Sequence, residues 1–235
     1  MFAGGPIVHL SLILISVLIG FLTGHWSLPL SQILLNLALF ILNANPSGMA
    51  DGAKIQELRT HPEYSRLVYQ SLRHTSQVMV DPTAANLSDF VMDLPILPGH
   101  LPQIHYLNWT EVLIFKGEYQ EAQERLEKVI VASDNDYIVK MAKLVLLEVY
   151  LLQGLNEEAR ELGQDRQVKS LLKYPMGNHQ VIAALYHQRI TKDNKALKKS
   201  LAQAKKMLPN SPLLADEQDY YSKLLTEVKL ESQLP

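Results

Sequence analysis

The first fifty residues contain no Asp, Glu, Lys or Arg, although the 235-residue chain carries 22 basic and 24 acidic side chains. Every charged side chain therefore lies in residues 51–235. An uncharged and mostly apolar stretch of this length is buried either in a lipid bilayer or in the core of a protein. The chain thus divides into two parts that need different surroundings.

Two apolar runs, Ile7–Leu22 and Leu28–Leu42, lie within the uncharged stretch. As a helix, the first run with its flanking residues measures roughly 27 Å, close to the thickness of the hydrocarbon core. The second run is shorter, about 22 Å, and must tilt or pack against a partner. The segment between the runs has turn-forming residues and an interfacial Trp26. The pattern predicts a transmembrane hairpin over residues 1–50, with spans at about 7–23 and 28–43.

Three other interpretations of the uncharged stretch stay open. A cleaved signal peptide needs a positively charged n-region, whereas only the α-amine precedes the first run. A helical hairpin in the core of a soluble domain would fit two runs as short as these. A pair of interfacial helices would need a charged face, which neither run has. Two membrane spans account best for the pattern.

The distribution of Lys and Arg predicts the orientation of the hairpin. Lys54, Arg59 and Arg66 follow the second run, and neither the turn nor the N-terminus has a basic side chain. By the positive-inside rule, residues 51–235 are cytoplasmic. The absence of Cys fits a cytosolic domain and excludes disulfides and thiolate metal sites. We expect an integral protein of the cell membrane with a cytoplasmic C-terminal domain.

Residues 51–103 combine amphipathic helices with a Pro-containing linker. Apolar residues recur at helical spacing from Lys54 to Met79, with a break at His61-Pro62. Asp81-Pro82 ends this helical part, and residues 83–103 are rich in proline. The pattern predicts a linker with one short helix near Leu87–Met92.

Residues 104–230 show a degenerate helical repeat. Gly117 and Gly154 are 37 residues apart, and each follows aromatic and aliphatic residues at the offsets of a tetratricopeptide unit. Each glycine is suited to end the first helix of a pair. Ala122 and Ala159, five residues after each glycine, permit close helix crossing. Because such a unit buries its apolar face only against the next unit, the pattern predicts a short solenoid.

A third, weaker unit covers 181–209, and a helix over 220–228 is expected to cap the solenoid. The predicted fold class is therefore all-α: a two-helix transmembrane hairpin followed by a cytoplasmic tetratricopeptide-like helical-repeat domain. The aromatic residues of the repeat are interpreted mainly as inter-helix core; they are Tyr106, Trp109, Tyr119 and Tyr150.

A helical array of this kind generally offers a concave surface to a protein or peptide partner. The lysine-rich run Lys195–Lys206 is interpreted as a solvated helix face. Near-balanced charge and a pI of about 6.4 give no basic footprint for nucleic acid. No nucleophile, phosphate-binding loop or carboxylate pair stands out, so no catalytic residue is assigned. The expected partners are the lipid bilayer and a protein or peptide on the repeats.

The end of the second run carries the spacing Asn43-x-x-Pro46-x-x-x-x-Asp51-Gly52. This resembles the second signature of site-2 proteases, the intramembrane zinc metalloproteases, in which the Asp is the third zinc ligand. Ala3-Gly-Gly-Pro6, followed by His9, is similar to the preceding Ala-Gly-Pro-x-x-Asn element, with an inserted Gly and with His in place of Asn. The resemblance covers residues 2–55 closely. It implies that Asp51 is a metal ligand and that Asn43, Pro46 and Gly52 support it.

Catalytic zinc needs three protein ligands, and in this family two come from a His-Glu-x-x-His helix. None of the eight His residues stands in that motif. The chain as written is therefore expected to be non-proteolytic and without a cofactor, and to bind zinc only if the missing upstream helix is supplied. A pair formed by His9 and Asp51 alone would bind a metal weakly.

Two explanations account for the incomplete motif: the chain is the C-terminal part of a longer or split protein, which we favour, or it is a degenerate family member. The alternative function is a tetratricopeptide adaptor whose hairpin is a simple anchor. In that case Asn43–Gly52 is only a helix end followed by a turn.

Overall fold

The computed structural model describes residues 4–45 and 51–231, and these residues form helices without any strand. Short 3₁₀ turns and one π-helical turn, His187–Thr191, complete the helical segments. The twelve α-helices of the described residues are α1 Gly4–Thr23, α2 Ser27–Ala44, α3 Asp51–Thr60, α4 Ser65–Val80, α5 His100–Phe115, α6 Tyr119–Ala132, α7 Asp136–Gln153, α8 Asn156–Gln164, α9 Arg166–Leu172, α10 Gly177–Tyr186, α11 Asn194–Met207 and α12 Ala215–Glu231.

Helices α1 and α2 pack against each other through small and polar residues. The buried positions at their contact are Pro6, Ser16, Gly20, Pro29 and Asn36. Most large apolar side chains point outwards instead, and ten of those in the first run are 42–76% exposed. Each helix has an 18-residue apolar window, long and apolar enough to cross a bilayer. Such an arrangement would be unfavourable in water because it exposes the apolar surface that folding normally buries.

The chain forms two compact units. The first comprises residues 1–66 and 99–101, and the second comprises residues 67–98 and 102–235. The boundary thus falls near the start of α4, whereas the sequence pattern placed the repeat domain after residue 103. Nearly all of α4 belongs with the repeat helices. The buried His105 ring contacts the carbonyl oxygen of Leu67 at 2.8 Å, which ties α5 to α4.

The second unit contains the helix pairs expected from the glycine spacing. Gly117 and Gly154 have φ angles of +81° and +76°, the left-handed conformation that ends a helix with little strain in glycine. Ala122 and Ala159 are fully buried. The predicted helix ends at Gly117 and Gly154 are confirmed. All five lysines of the Lys195–Lys206 run are exposed, as expected for a solvated face.

The segment predicted as a linker is only partly a linker. Residues 87–89 form a 3₁₀ turn, shorter than the helix expected near Leu87–Met92. Leu87 and Phe90 are buried in a cluster with Val112 and Leu214. The carboxylate of Asp216 accepts hydrogen bonds from the backbone N–H groups of Leu87 and Ser88, at 2.7 and 3.3 Å. This segment is therefore part of the core of the second unit.

Helix α12 is not confined to the end of the array, where a capping helix would lie. Its Tyr220 ring packs on Phe115 of α5 with a centroid distance of 4.7 Å. Its Tyr220 and Tyr221 hydroxyls bond to Glu148 of α7, and the helix also packs on α10 and α11. It therefore contacts the first helix of each successive pair. The sequence predicted the helix but not this position, because an apolar stripe does not identify its partner.

Candidate functional site

The residues of the family resemblance meet at one end of the α1–α2 pair. The imidazole of His9 lies in α1, one turn after Pro6, and faces two asparagines of α2. Its Nδ1 is 2.9 Å from Oδ1 of Asn36, and its Nε2 is 3.1 Å from Nδ2 of Asn43. Asn36 and Asn43 are two helical turns apart, so both amides face the same side of α2.

The geometry of this triad assigns the tautomer of His9. An amide Oδ1 can only accept and an amide Nδ2 can only donate, so Nδ1–H of His9 donates to Asn36 and Nε2 accepts from Asn43. Both ring nitrogens of His9 are thus used in hydrogen bonds to α2. Asn36 also donates through Nδ2 to the carbonyl oxygen of Gln32 at 2.9 Å. The polar groups of the His9 ring and the Asn36 amide thus satisfy one another away from water.

Asp51 and Gly52 are the first two residues of α3, immediately beyond the end of α2. Gly52 lies so close to the carbonyl groups of Ala44 and Asn45 that a Cβ atom there would collide with both. A glycine is therefore required for α3 to begin against the C-terminus of α2. Asp51 is half-buried at the same junction. Pro46, the remaining residue of the signature, lies outside the described residues.

The described side chains do not form a metal site. Among residues 4–45 and 51–231, no group of three His, Cys, Asp or Glu side chains is placed to hold a metal ion. Asp51 would supply one carboxylate, and a catalytic zinc needs two further protein ligands. The residues present therefore do not fit a zinc centre by themselves, and no reaction step is assigned to them.

Comparisons with protein-family models, with curated proteins and with solved structures each find no match for this chain.

A second polar cluster lies in the core of the second unit, around Glu148 of α7. Only 1% of this residue is exposed. The hydroxyl of Tyr220 donates to its Oε1 at 2.8 Å, and the hydroxyl of Tyr221 donates to its Oε2 at 3.2 Å. Burial raises the pKa of Glu148 to about 7, against the opposing effect of the two tyrosine hydrogen bonds. A carboxyl group with this pKa exchanges its proton near neutral pH.

Other acidic groups surround this carboxyl group. Burial, followed by repulsion from Glu217 and Glu148, raises the pKa of Glu111 on α5. Burial also raises the pKa of Glu217, although its Oε2 accepts a hydrogen bond from the backbone N–H of Leu214 at 2.8 Å. Burial raises the pKa of Tyr221 as well. The cluster is rich in acids, and its arrangement favours protonation over metal binding.

The surface of the second unit has a cleft of about 600 Å³ beside α6. Its centre is Arg125, which lies 5.3 Å from the ring of Tyr106 and is paired with Asp93 at 2.7 Å and Glu121 at 2.9 Å. The cation is thus fully engaged by its own chain.

The sequence interpretation missed two of these groups. Asn36 is an amide within an apolar run, seven residues before Asn43, and this spacing could have identified it. Glu148 is the only charged residue in the apolar stretch Leu144–Leu152. A polar group among apolar neighbours is the available signal in both cases, because burial demands a partner for it.

Proposed function

We propose that the chain is a membrane-anchored helical-repeat protein derived from the site-2 protease family. Its hairpin corresponds to the C-terminal part of the zinc protease core, and its repeats form a cytoplasmic interaction domain. In this proposal Asp51 is the third zinc ligand of a complete site, whose other two ligands come from a His-Glu-x-x-His helix outside this sequence. The chain as written is not proteolytic.

The hydrogen bond between His9 and Asn43 carries this proposal. Each of these residues occupies an asparagine position of one family element, and the elements are 34 residues apart in sequence. The two residues meet at the end of the helix pair, beside the junction at which α3 begins with Asp51. Two elements that form one wall of an active site must lie in contact in this way.

The outward-facing apolar side chains of α1 and α2 support the membrane assignment. Burial of apolar surface stabilises at roughly 25 cal/mol per Å². A helix pair with its aliphatic residues outside and its polar residues inside buries its apolar surface in lipid rather than in its own core, so the stabilisation comes from the bilayer. Release of the chain by alkaline carbonate would contradict the anchor.

Zinc content distinguishes this proposal from the adaptor with a simple anchor. We expect the chain, when isolated with its partners from native membranes, to carry about one zinc ion. Asp51→Ala should remove the metal, because it removes the only ligand this chain provides. Asp134→Ala, which alters an exposed aspartate of the second unit, is the matched control and should retain it.

Zinc can be measured by plasma mass spectrometry on the purified complex. Absence of zinc, or equal zinc in the Asp51→Ala and Asp134→Ala variants, would overturn the protease-derived proposal. The chain would then be an adaptor that binds a protein partner at the membrane.

A further inference from the structure

A cleft of about 630 Å³ opens between α3 and the ends of α1 and α2. Pro6, Phe40 and Ala44 line it on the side of the helix pair, and Ile55, Gln56 and Arg59 line it on the side of α3. This volume lies within the range of sites for small ligands, about 300–1,000 Å³. All six residues belong to the first compact unit.

The two walls of the cleft differ in chemistry. The helix-pair wall is apolar, and Ile55 continues this surface onto α3. Gln56 and Arg59 lie on the same face of α3 at the rim, and both are exposed. Thr60, beside them, donates its hydroxyl hydrogen to backbone carbonyls of its own helix. The cleft therefore has an apolar floor and a rim with a cationic side chain.

Arg59 makes no hydrogen bond or ion pair with any residue that the structure describes. The acidic residue nearest to it in sequence, Glu57, faces the opposite side of α3, where Gly99 lies against its carboxylate. Burial raises the pKa of Glu57, while a hydrogen bond from the backbone of Leu101 opposes this effect. Glu57 is thus engaged elsewhere, and the guanidinium at the cleft has no partner among the described residues.

The level of the cleft relative to the bilayer indicates which ligand it binds. It lies where the apolar windows Pro6–Thr23 and Ser27–Ala44 begin and end, which is the level of the lipid headgroups if these helices span the bilayer. An apolar floor at that level can contact an acyl chain. The arginine at the rim can donate two parallel hydrogen bonds to the oxygens of a phosphate. We propose that this cleft binds an anionic phospholipid, with its phosphate on Arg59 and an acyl chain against Phe40 and Ile55.

This inference depends on only one part of the proposed function, the membrane position of the helix pair. It does not depend on zinc or on proteolytic descent. Carbonate extraction tests the membrane position separately. If carbonate releases the chain, the proposed membrane position of the helix pair is wrong. If the chain stays in the membrane but shows no preference between lipids, only the lipid-binding proposal is wrong.

The test measures lipid retained by the full chain after reconstitution in vesicles of equal phosphatidylglycerol and phosphatidylcholine. The purified protein is analysed by native mass spectrometry. We expect phosphatidylglycerol to be retained over phosphatidylcholine by about fivefold, the preference that one basic side chain near a lipid headgroup supplies. Arg59→Gln should abolish this preference, and Arg59→Lys should keep most of it because the charge remains.

Arg66→Gln is the matched control, because Arg66 is also exposed and does not line the cleft. It should leave the preference unchanged. A second variant, Gln56→Trp, blocks the rim without removing a charge and should reduce retention of both lipids. Equal retention of the two lipids by the wild-type chain, or equal loss in Arg59→Gln and Arg66→Gln, would overturn the proposal.

Discussion

Glu148 illustrates how one side chain sets the pH response of a domain. Its carboxyl group is buried, and two tyrosine hydroxyls donate hydrogen bonds to it. Among the described residues, no basic side chain pairs with it. Desolvation without a compensating cation disfavours the ionised form. The acidic groups Glu111 and Glu217 and the hydroxyls of Tyr220 and Tyr221 face the same space and add no positive charge.

The folded second unit should therefore lose stability as the pH rises through neutrality. The pKa of Glu148 is raised from 4.5 to about 7. Because the folded state binds this proton more tightly than the unfolded state, the stabilisation is complete below about pH 4.5 and is lost as the pH passes 7. The shift corresponds to on the order of 3 kcal/mol in the free energy of unfolding.

Urea unfolding of the full chain in micelles, followed by circular dichroism from pH 5 to pH 8, measures this loss. Glu148→Gln keeps the shape of the side chain without the titration, so its stability should fall less over the same range. Glu124→Gln, at an exposed position on α6, should behave like the wild type. If the free energy of unfolding falls with pH equally in Glu148→Gln and in the wild type, the pH response belongs to the neighbouring acidic residues and not to Glu148.

At the scale of the element, the pairing of α1 with α2 depends on few specific contacts. Interfaces between helices in lipid lack a hydrophobic driving force and rely on close packing and hydrogen bonds. Here Gly20 lets the ring of Trp26 lie directly against α1, since a Cβ atom would collide with it. The triad of His9, Asn36 and Asn43 holds the opposite end of the pair.

His9→Leu should weaken this pairing, because it leaves one donor and one acceptor of the two asparagines without their partner. The expected loss is about 1 kcal/mol, the usual size for hydrogen bonds between membrane helices. Fluorescence of Trp26 during denaturation by dodecyl sulfate reports the separation of the helices, in a Trp109→Phe background. His25→Leu, at an exposed turn position, is the control. Equal destabilisation by both substitutions would exclude a special role for the triad.

At the scale of the whole molecule, α12 connects parts of the second unit that are far apart in sequence. Tyr221, Leu224, Leu225 and Val228 belong to the core cluster around α7, α10 and α11, while Tyr220 packs against that cluster and against the one around α5 and α6. A simple solenoid has contacts only between neighbouring units. The second unit should therefore unfold as one cooperative body.

Leu224→Asp tests this cooperativity, because it places a charge at a site that is 4% exposed. We expect amide hydrogen exchange to accelerate in both α6 and α11, which lie far apart in the sequence of the second unit. Lys223→Asp, at the exposed neighbouring position, should leave both protected. Acceleration in α11 alone would show that α12 stabilises only the last pair and acts as an ordinary cap.

Much of the fold could be predicted from local patterns. The two apolar helices, the helix ends at Gly117 and Gly154 and the buried alanines after them depend on residues close in sequence, and they were predicted correctly. The length of the helix at Leu87 was not. It depends on contacts with α5 and α12, which lie in remote parts of the chain.

By itself, the sequence determined that the chain is helical, that its first fifty residues are mostly apolar and uncharged, and where several helices end. Helical periodicity and backbone sterics decide these properties locally. Only the tertiary structure decided which polar groups meet: His9 with Asn36 and Asn43, and Glu148 with two tyrosines more than 70 residues away. A helix defines the face on which a buried polar group lies, but the packing of other helices supplies the partner that makes its burial tolerable.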